Sequence, residues 1–475
     1  MKLLTPLLFL VALTSFSQKG KDGAYTVPGS GQIVNTYTSL TADANAGNTT
    51  LTVANNALNG GIFGGSLGAG DLIFIIQMKG VSMSGVGVDV GNVDGYAGTD
   101  TVSFPADPTL GSITGYNDCG NHEYAEVVST SGGATITLRC GLQFDYTAAG
   151  DVQVIRVPRF TDLTIPGGTS ITAPAWDGTV GGAVILEVDG DVDLTGTIDV
   201  DDIGFRGGDD AQDAITFGGA YASTMPREGA RKGEGIGGFN GTYSFWGGMY
   251  GRAAFANAGG GGTAHNSGGG GGANAAALAW NNGMGNPDAS VGGWATAWNI
   301  EGTSSGNGMS STFTSGGGGR GGHTLSQSDG DATDPNDPPG DGAAWGGDNR
   351  RIQGGLGGRP LNYNLGKIFF GGGGGSGEYN DNEGGDGGNA AGLVYMVVTG
   401  DVTGSGSIEA NGQDGFDAVG PAPGFAQITG NDAAGGAGAG GTVLLDVAGT
   451  IGGIDINADG GNGGNLAITL ITPKK

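Results

Sequence analysis

Hydrophobic and polar positions alternate in a pattern that occurs three times along the chain. The three stretches are 182–200, 392–410 and 441–458, and the third is shorter in its second half. Each begins with a glycine and an apolar run, has a second glycine eight residues later, and ends with a segment in which alternate residues are apolar. A period of two buries one face of a strand and leaves the other in water. The stretches therefore predict stacked β-solenoid coils, or hairpins joined edge to edge.

Residues 18–160 have a different pattern, in which short apolar or alternating segments are separated by turn residues. A buried-strand pattern covers 71–78, and the segments 123–128 and 135–138 flank a Ser-Gly-Gly turn that is typical of a hairpin. Strands of this length and spacing predict a small β-barrel or sandwich. We therefore expect an all-β chain, with this small domain followed by a β-solenoid-like (parallel β-helix-like) domain over 161–475.

A glycine-rich insertion is predicted at about 204–389 of the solenoid-like domain. Glycine supplies 108 of the 475 residues, roughly three times its usual share of about 7%. α-Helices are disfavoured in the insertion because glycine costs about 1 kcal/mol per helical position. Two structures remain open: loops draped over the solenoid, or a bundle of extended glycine helices with three residues per turn that bond to one another through their backbones. The longest glycine runs are at 259–262, 268–272, 316–319 and 371–375.

The charge and the N-terminus indicate an exported protein. The formal net charge is −27, and so acidic a surface repels phosphate backbones and excludes nucleic acid as a partner. Residues 1–17 resemble a signal peptide, with a positive Lys2, an apolar run over 3–13 and small residues before Gln18. Later apolar stretches are too short to span a bilayer. We expect a secreted protein at the cell surface, on the exterior of the outer membrane, with no transmembrane segment.

The chain has two cysteines, Cys119 and Cys140. In an exported protein an even pair predicts a disulfide between them. A zinc site needs more ligands than one cysteine pair supplies, and the spacing is not the Cys-x-x-Cys of a redox motif. We therefore predict that one disulfide stabilises the small domain.

Candidate catalytic residues are few. Asp199, Asp201 and Asp202 follow the first repeat, and Arg206 is near them in sequence. Parallel β-helices are often polysaccharide lyases or hydrolases, and two carboxylates about 5–10 Å apart could carry glycoside chemistry. The alternative, which we favour, is a solvated turn. The three histidines form no catalytic or metal-binding motif, so we expect a chain that is not an enzyme.

Acidic loops raise the possibility of bound Ca²⁺. Closely spaced oxygen ligands in an exported protein suit this ion, although the strings match neither the helix-loop-helix calcium motif nor the nonapeptide calcium repeat. Merely solvated acidic loops are the alternative. Exposed tryptophans among the glycines could stack on sugar rings, but packing is their commoner role. The predicted Ca²⁺ ligands are Asp329, Asp331, Asp334, Asp337 and Asp341, with a second cluster at Asp381, Glu383 and Asp386; the tryptophans are Trp280, Trp294 and Trp298.

Four segments resemble the N-terminal region of large gliding-motility adhesins of Bacteroidota, which are exported by the type IX system. They are 71–80, 148–159, 171–176 and 204–208, and the resemblance covers most of the mature chain. It implies a role in adhesion and contact with the outer-membrane secretion and motility machinery. The C-terminal sorting domain usual in such cargo does not follow the last repeat, so the resemblance implies a fragment of a longer adhesin or another route.

Three functions are consistent with these observations. The first is an exported structural and adhesive module that binds an extracellular surface, a polysaccharide or a protein. The second is a carbohydrate-active β-helix, either a lyase or a hydrolase. The third is a purely structural spacer.

Overall fold

The computed structural model describes residues 18–85, 110–209, 221–263, 267–274, 354–379, 384–418 and 433–464. Within these ranges the protein is all-β, as predicted, and its only helices are short 3-10 turns at Ala148–Gly150, Pro226–Glu228, Asn240–Trp246 and Tyr363–Leu365. The strands are β1 (Gly23–Thr26), β2 (Gln32–Ile33), β3 (Thr36–Ser39), β4 (Thr50–Thr52), β5 (Leu72–Gln77), β6 (Ser82–Met83), β7 (Ile113–Gly115), β8 (His122–Ser131), β9 (Thr135–Leu138), β10 (Val152–Val157), β11 (Arg159–Ile165), β12 (Ser170–Thr172), β13 (Ala183–Val188), β14 (Val192–Leu194), β15 (Thr197–Asp199), β16 (Leu393–Val398), β17 (Val402–Thr403), β18 (Ser407–Glu409), β19 (Thr442–Val447), β20 (Ile451–Gly452) and β21 (Asp455–Asn457).

The small domain is an antiparallel barrel. Its six strands follow the order β3-β10-β5-β8-β9-β4, and a bridge between Leu40 and Val53 joins the two outer strands. The Thr41 N–H donates to the Thr52 carbonyl at 2.8 Å across the same seam. The interior is a cluster of buried aliphatic side chains with Tyr146. The small β-barrel that the strand spacing predicts is therefore confirmed.

The solenoid stacks five parallel coils, which we number in chain order. Coil 1 contains β1 and β2, coil 2 contains β11 and β12, and coils 3, 4 and 5 are the three sequence repeats, β13–β15, β16–β18 and β19–β21. In coils 3 to 5 the long strands pair over six consecutive positions without a shift. Coil 1 precedes the barrel in the chain, so the solenoid includes strands from both sides of the barrel.

Alternation along each strand places the apolar residues in the solenoid core. Val192, Leu194 and Ile198 are fully buried, whereas Asp193 between the first two is exposed. The period of two in the sequence therefore corresponds to an inside and an outside of each coil. Coil 5 is the exception among the repeats because Ile456, which continues the Ile198 position, is 47% exposed.

The glycine that follows each long strand allows one coil to bond to the next. The Oδ1 atom of Asp191 accepts the Asp401 N–H at 2.9 Å, and the Oδ1 atom of Asp401 accepts the Thr450 N–H at 2.7 Å. A Cβ atom at Gly400 would lie 2.2 Å from the Asp191 carboxylate, and one at Gly449 would lie 2.4 Å from that of Asp401. The second glycine of each repeat thus makes room for a column of side-chain caps.

The glycine-rich segments form a bundle of extended helices in the residues that the structure describes. Along 371–379, the N–H groups of Gly372, Gly375 and Glu378 bond to the segment 267–274, and every position between them bonds to one of two other segments. A neighbour that returns at every third residue indicates three residues per turn. Of the two structures left open by the sequence, the glycine-helix bundle is the one observed here.

The bundle is packed through its backbones. A Cβ atom at Gly373 would lie 1.9 Å from the Arg206 carbonyl oxygen, and one at Gly375 would lie 2.1 Å from that of Gly260. Real Cβ atoms do not approach backbone atoms so closely, so glycine is required at these positions. The backbone amides are also satisfied by neighbouring helices, with N···O distances of 2.8–3.0 Å along 372–378.

A buried charge network joins the barrel, the solenoid and the bundle. Glu234, on a glycine helix, is fully buried and pairs with Lys79 of the barrel at 2.7 Å and with Arg206 at 2.7 Å. The indole N–H of Trp176 donates to the same carboxylate at 2.9 Å. These cations hold the pKa of Glu234 below its ordinary value despite burial, which opposes them. Lys79 also pairs with Asp151 at 2.9 Å.

The structure corrects the predicted disulfide. Both cysteines are unpaired: Cys119 is buried and Cys140 is exposed. The Cys119 thiol belongs to the cluster between barrel and glycine bundle and donates to the Met78 carbonyl at 3.3 Å. Cys140 lies just after β9, and the buried side chains of β9 belong to a different cluster, the one inside the barrel. The two residues therefore belong to different surroundings, and burial raises the pKa of the Cys119 thiol.

No helix within the described ranges is long and apolar enough to cross a membrane. The predicted signal peptide, 1–17, lies outside these ranges.

Candidate functional site

An open groove of about 490 Å³ lies where coil 1 meets the loop that follows β4. Coil 1 contributes Tyr25 and Ile33, and the loop contributes Ile62 and Phe63. Ile33 is 39% exposed and Ile62 is half-buried, so apolar surface faces the solvent here. Concave sites with apolar walls and few polar groups are typical ligand-binding sites.

An aromatic pair forms part of the groove wall. Tyr25 and Phe160 stack with their ring centroids 5.0 Å apart and their planes within 7° of parallel. Phe160 is fully buried and anchored in the solenoid core, whereas Tyr25 is half-buried. Parallel pairing of β1 with β11 sets this geometry. The Tyr25 ring is thus held in one orientation at the edge of the groove.

Two polar side chains line the same groove, Asp22 and Gln32. Asp22 is exposed, and its Oδ2 atom accepts the Arg159 N–H at 2.8 Å. That bond positions the carboxylate and leaves other acceptor sites on its two oxygens. The groove therefore combines an oriented aromatic ring with a carboxylate and a carboxamide, a set that can stack on a sugar ring and bond to its hydroxyl groups.

A second hollow, of about 650 Å³, lies on the glycine bundle. Phe416, which is 49% exposed, lines it together with Asp414 and Asn462. The Asn462 N–H donates to the Asp414 carboxylate at 2.6 Å, so these polar groups already serve the packing of one glycine helix on the next. The first groove is the better candidate because its polar side chains are less engaged.

The structure brings Asp199, Asp201 and Asp202 together after coil 3. The Asp199 carboxylate accepts the Asp201 N–H at 3.1 Å, and the Asp201 carboxylate accepts the Asn411 N–H of the next coil. Two of the three aspartates thus hold the turn and the coil stack. Arg206 does not join them, since its guanidinium pairs with Glu234.

Asp202 is the most perturbed of these aspartates. Burial raises its pKa to about 6, and the neighbouring charges of Asp201, Asp199 and Asp414 act in the same direction. Its φ of 59° lies in the left-handed region, which an Asp in a turn can adopt. The Asp202 carboxyl therefore takes up a proton at a higher pH than an ordinary aspartate does.

The other predicted site residues fall in two classes. His122 is partly buried beside Phe74 and Tyr395, at ring-centroid distances of 5.8 and 6.1 Å, and burial lowers its pKa. No group of three or more potential metal ligands occurs among the described residues. The remaining candidates lie outside the described ranges: the five predicted Ca²⁺ ligands, Asp381 and Glu383 of the second acidic cluster, His265, His323, Trp280, Trp294 and Trp298. Asp386 is described, within a glycine helix whose Phe416 partner donates to its carbonyl at 3.0 Å.

Sequence reasoning missed the groove. Tyr25 and Asp22 are in a short segment whose only signal is the alternation over 23–27, and nothing local indicates that it pairs with β11. The aromatic pair joins residues 135 positions apart in sequence, numbers 25 and 160. Such a contact follows from the coil stacking and not from the local pattern.

No protein-family model and no curated protein matches the sequence. Among solved structures, the tailspike Gp54 of Acinetobacter baumannii bacteriophage AP22, in complex with A. baumannii capsular saccharide, is 13% identical and aligns with 38% of this chain and 27% of its own, at a TM-score of 0.16. The tailspike gp61 of Pseudomonas phage phi297 is 16% identical over 38% of this chain and 29% of its own, at 0.15. The tailspike gp49 of Pseudomonas phage LKA1 is 16% identical over 39% and 30%, at 0.16. The aligned part spans less than a third of each tailspike.

Proposed function

We propose that this chain is an exported structural and adhesive module that binds a surface polysaccharide without cleaving it. The observation that supports this function most is the groove beside coil 1, with its oriented Tyr25 ring and the polar side chains of Asp22 and Gln32. The scaffold behind it is held by backbone bonds and a buried charge network, which suits a module that must keep its shape under load. The resemblance to gliding-motility adhesins supports a place at the cell surface.

The test is retention of the chain on an array of bacterial and plant polysaccharides, with released sugar ends measured in the same wells. We expect retention without release for the wild type and loss of retention for Tyr25→Ala, because truncation removes the stacking surface. Phe245→Ala is the matched control, since Phe245 is an exposed aromatic, 67% accessible, far from coil 1 in sequence. Absence of retention on every polysaccharide would leave the structural spacer as the better function.

A second candidate, glycoside cleavage, is favoured by one observation. Asp202 has a pKa near 6 and lies with Asp199 and Asp201, and a raised carboxyl pKa beside an ionised carboxylate is a common acid–base arrangement in glycosidases. Released sugar ends from the wild type that disappear in Asp202→Asn would establish this function. Asp193→Asn is the control, because Asp193 is an exposed carboxylate on the same coil.

A further inference from the structure

We propose that the groove beside coil 1 selects uncharged saccharides and rejects acidic ones. The inference rests on the proposed function, because it names the ligand class of the same site. It follows from the charges of the side chains in and behind the groove wall.

No lysine or arginine is among the described residues that line the groove, and the one lining side chain that is charged at neutral pH is Asp22. A uronate, sulfate or sialate group would therefore find no cation in the groove wall. It would instead meet a carboxylate at short range, where like charges repel. Sugar hydroxyl groups have no such difficulty, since they can donate to Asp22 and exchange hydrogen bonds with Gln32.

The cations behind the groove are already paired. Arg156 lies over the Phe63 ring at 4.1 Å, but its side chain is only 6% exposed and pairs with Asp71 at 2.8 Å. Lys21, whose side chain is 33% exposed, pairs with the same Asp71. A ligand carboxylate that drew Lys21 towards itself would take one of its two cations from the Asp71 carboxylate, whose side chain is only 5% exposed.

Arg159 is engaged in the same way. Its guanidinium pairs with Glu187 and donates to the Gly70 carbonyl at 3.2 Å, and its side chain is 5% exposed. Its backbone N–H holds Asp22 in place. Arg159 therefore contributes to the orientation of the Asp22 carboxylate and has no exposed charge to offer an acidic sugar.

The net charge of −27 repels anions from the whole surface, but that effect can be separated from the groove. Long-range repulsion is screened beyond about 8 Å at physiological ionic strength, whereas repulsion between a bound ligand and a carboxylate that the ligand covers is screened much less. Discrimination that persists when salt is raised therefore belongs to the groove.

The experiment compares one polysaccharide in two charge states. The probe is the polymer that retains the chain on the array, together with its C6-oxidised form, or its carboxyl-reduced form if the retained polymer is acidic. Dissociation constants are measured for the full chain at about 0.15 M and 0.5 M salt. We expect the neutral form to bind at least about tenfold more tightly at both, the effect of one close like-charge contact in a partly solvated site.

Two variants assign the discrimination to the groove. Asp22→Asn keeps an acceptor for the Arg159 N–H and removes the charge. The ratio of the dissociation constants for the acidic and the neutral polymer should therefore fall severalfold. Gln32→Lys adds a cation to the wall and should strengthen binding of the acidic form selectively.

Each outcome is decisive. Equal or tighter binding of the acidic form by the wild type, lost in Tyr25→Ala, would overturn the charge selectivity and keep the adhesive function. Retention that Tyr25→Ala does not weaken would remove the groove as the site, and the inference with it. No retention of either form would overturn the proposed function itself.

Discussion

The solenoid and the glycine bundle are two ways to build a core from extended chain. In the solenoid, alternate aliphatic side chains such as Val394 and Ile408 fill the space between strands. In the bundle, helices approach until the Cα of one meets the carbonyl of the next, and a Cβ at Gly373 or Gly387 would lie within 2.0 Å of a backbone oxygen. One core is held by buried apolar area and the other by interhelical hydrogen bonds and close van der Waals contact.

The difference determines where sequence can vary. A side-chain core accepts other aliphatic residues of similar volume, whereas the interior of the glycine bundle accepts glycine alone at its closest contacts. Chemistry for recognition must therefore come from coil edges, exposed corners and segments between the helices. The groove beside coil 1 is such an edge, which agrees with the ligand binding that we propose for it.

The buried charge network that connects the two cores gives the largest predicted loss of stability. Glu234→Gln removes a buried carboxylate that pairs with Lys79 and Arg206, and loss of one partner from a buried network costs about 3–5 kcal/mol. Denaturant unfolding should show this loss. Asp209→Asn, at the pair with Arg231 in which the Asp209 side chain is 58% exposed, should cost less than about 1 kcal/mol. Equal losses of unfolding free energy in the two variants would contradict the role of Glu234 in connecting the two cores.

A methyl group inside the bundle is the next largest change. Gly373→Ala places a Cβ 1.9 Å from the Arg206 carbonyl oxygen, so two helices must separate, at a cost of about 3 kcal/mol or more. Gly463→Ala is the matched control, because Gly463 is exposed and has no atom within 4 Å of an added Cβ. It should change the free energy of unfolding by less than about 1 kcal/mol. A Gly373→Ala variant with the unfolding free energy of the wild type would contradict the close packing of the glycine helices.

The same size of change in the solenoid core should cost less. Ile408→Val removes one buried methylene, worth about 1 kcal/mol. Ile456→Val, at the equivalent position of coil 5, should be nearly neutral because that side chain is 47% exposed. Thermal unfolding of the two variants measures the difference, and similar losses would mean that coil 5 is covered in solution.

The smallest effect concerns pH. The Asp202 pKa is raised to about 6 from an ordinary value near 3.8, so the native state holds this proton more tightly than the unfolded chain. Stability from this group is present below about pH 4 and is lost as pH rises to about 6. Asp202→Asn should therefore stabilise the protein at pH 7 by no more than about 1 kcal/mol, given the solvent screening at a half-exposed site, and by nothing at pH 4. Unfolding curves at the two pH values test this, and a loss at pH 7 would contradict it.

Local periodicity was sufficient to predict the repeats, the barrel strands β5, β8 and β9, and the all-β class. The alternation in 192–200 specifies which side chains are buried, and the strand-turn-strand pattern around Gly132 specifies a hairpin. The glycine runs did not distinguish loops from a bundle. That choice depends on whether neighbouring runs lie close enough to bond, as 371–379 does with 267–274, about a hundred residues earlier.

The candidate site was not predictable for a related reason. Tyr25 meets Phe160 because β1 stacks on β11, a pairing between the two sides of the barrel that no local pattern reports. The disulfide prediction was wrong because cysteine count and export say nothing about which way each thiol faces. Cys119 faces the glycine bundle, and Cys140 is at the surface.

Amide hydrogen exchange along 371–379 tests the central structural claim most directly. Extended glycine helices have no internal hydrogen bonds, so any protection must come from neighbouring helices. We predict protection of the amides from Gly372 to Glu378 comparable to that of β16 (Leu393–Val398), because each bonds to a neighbouring segment at 2.8–3.0 Å. Exchange at the rate of an unfolded chain would contradict the bundle and return these residues to the class of surface loops.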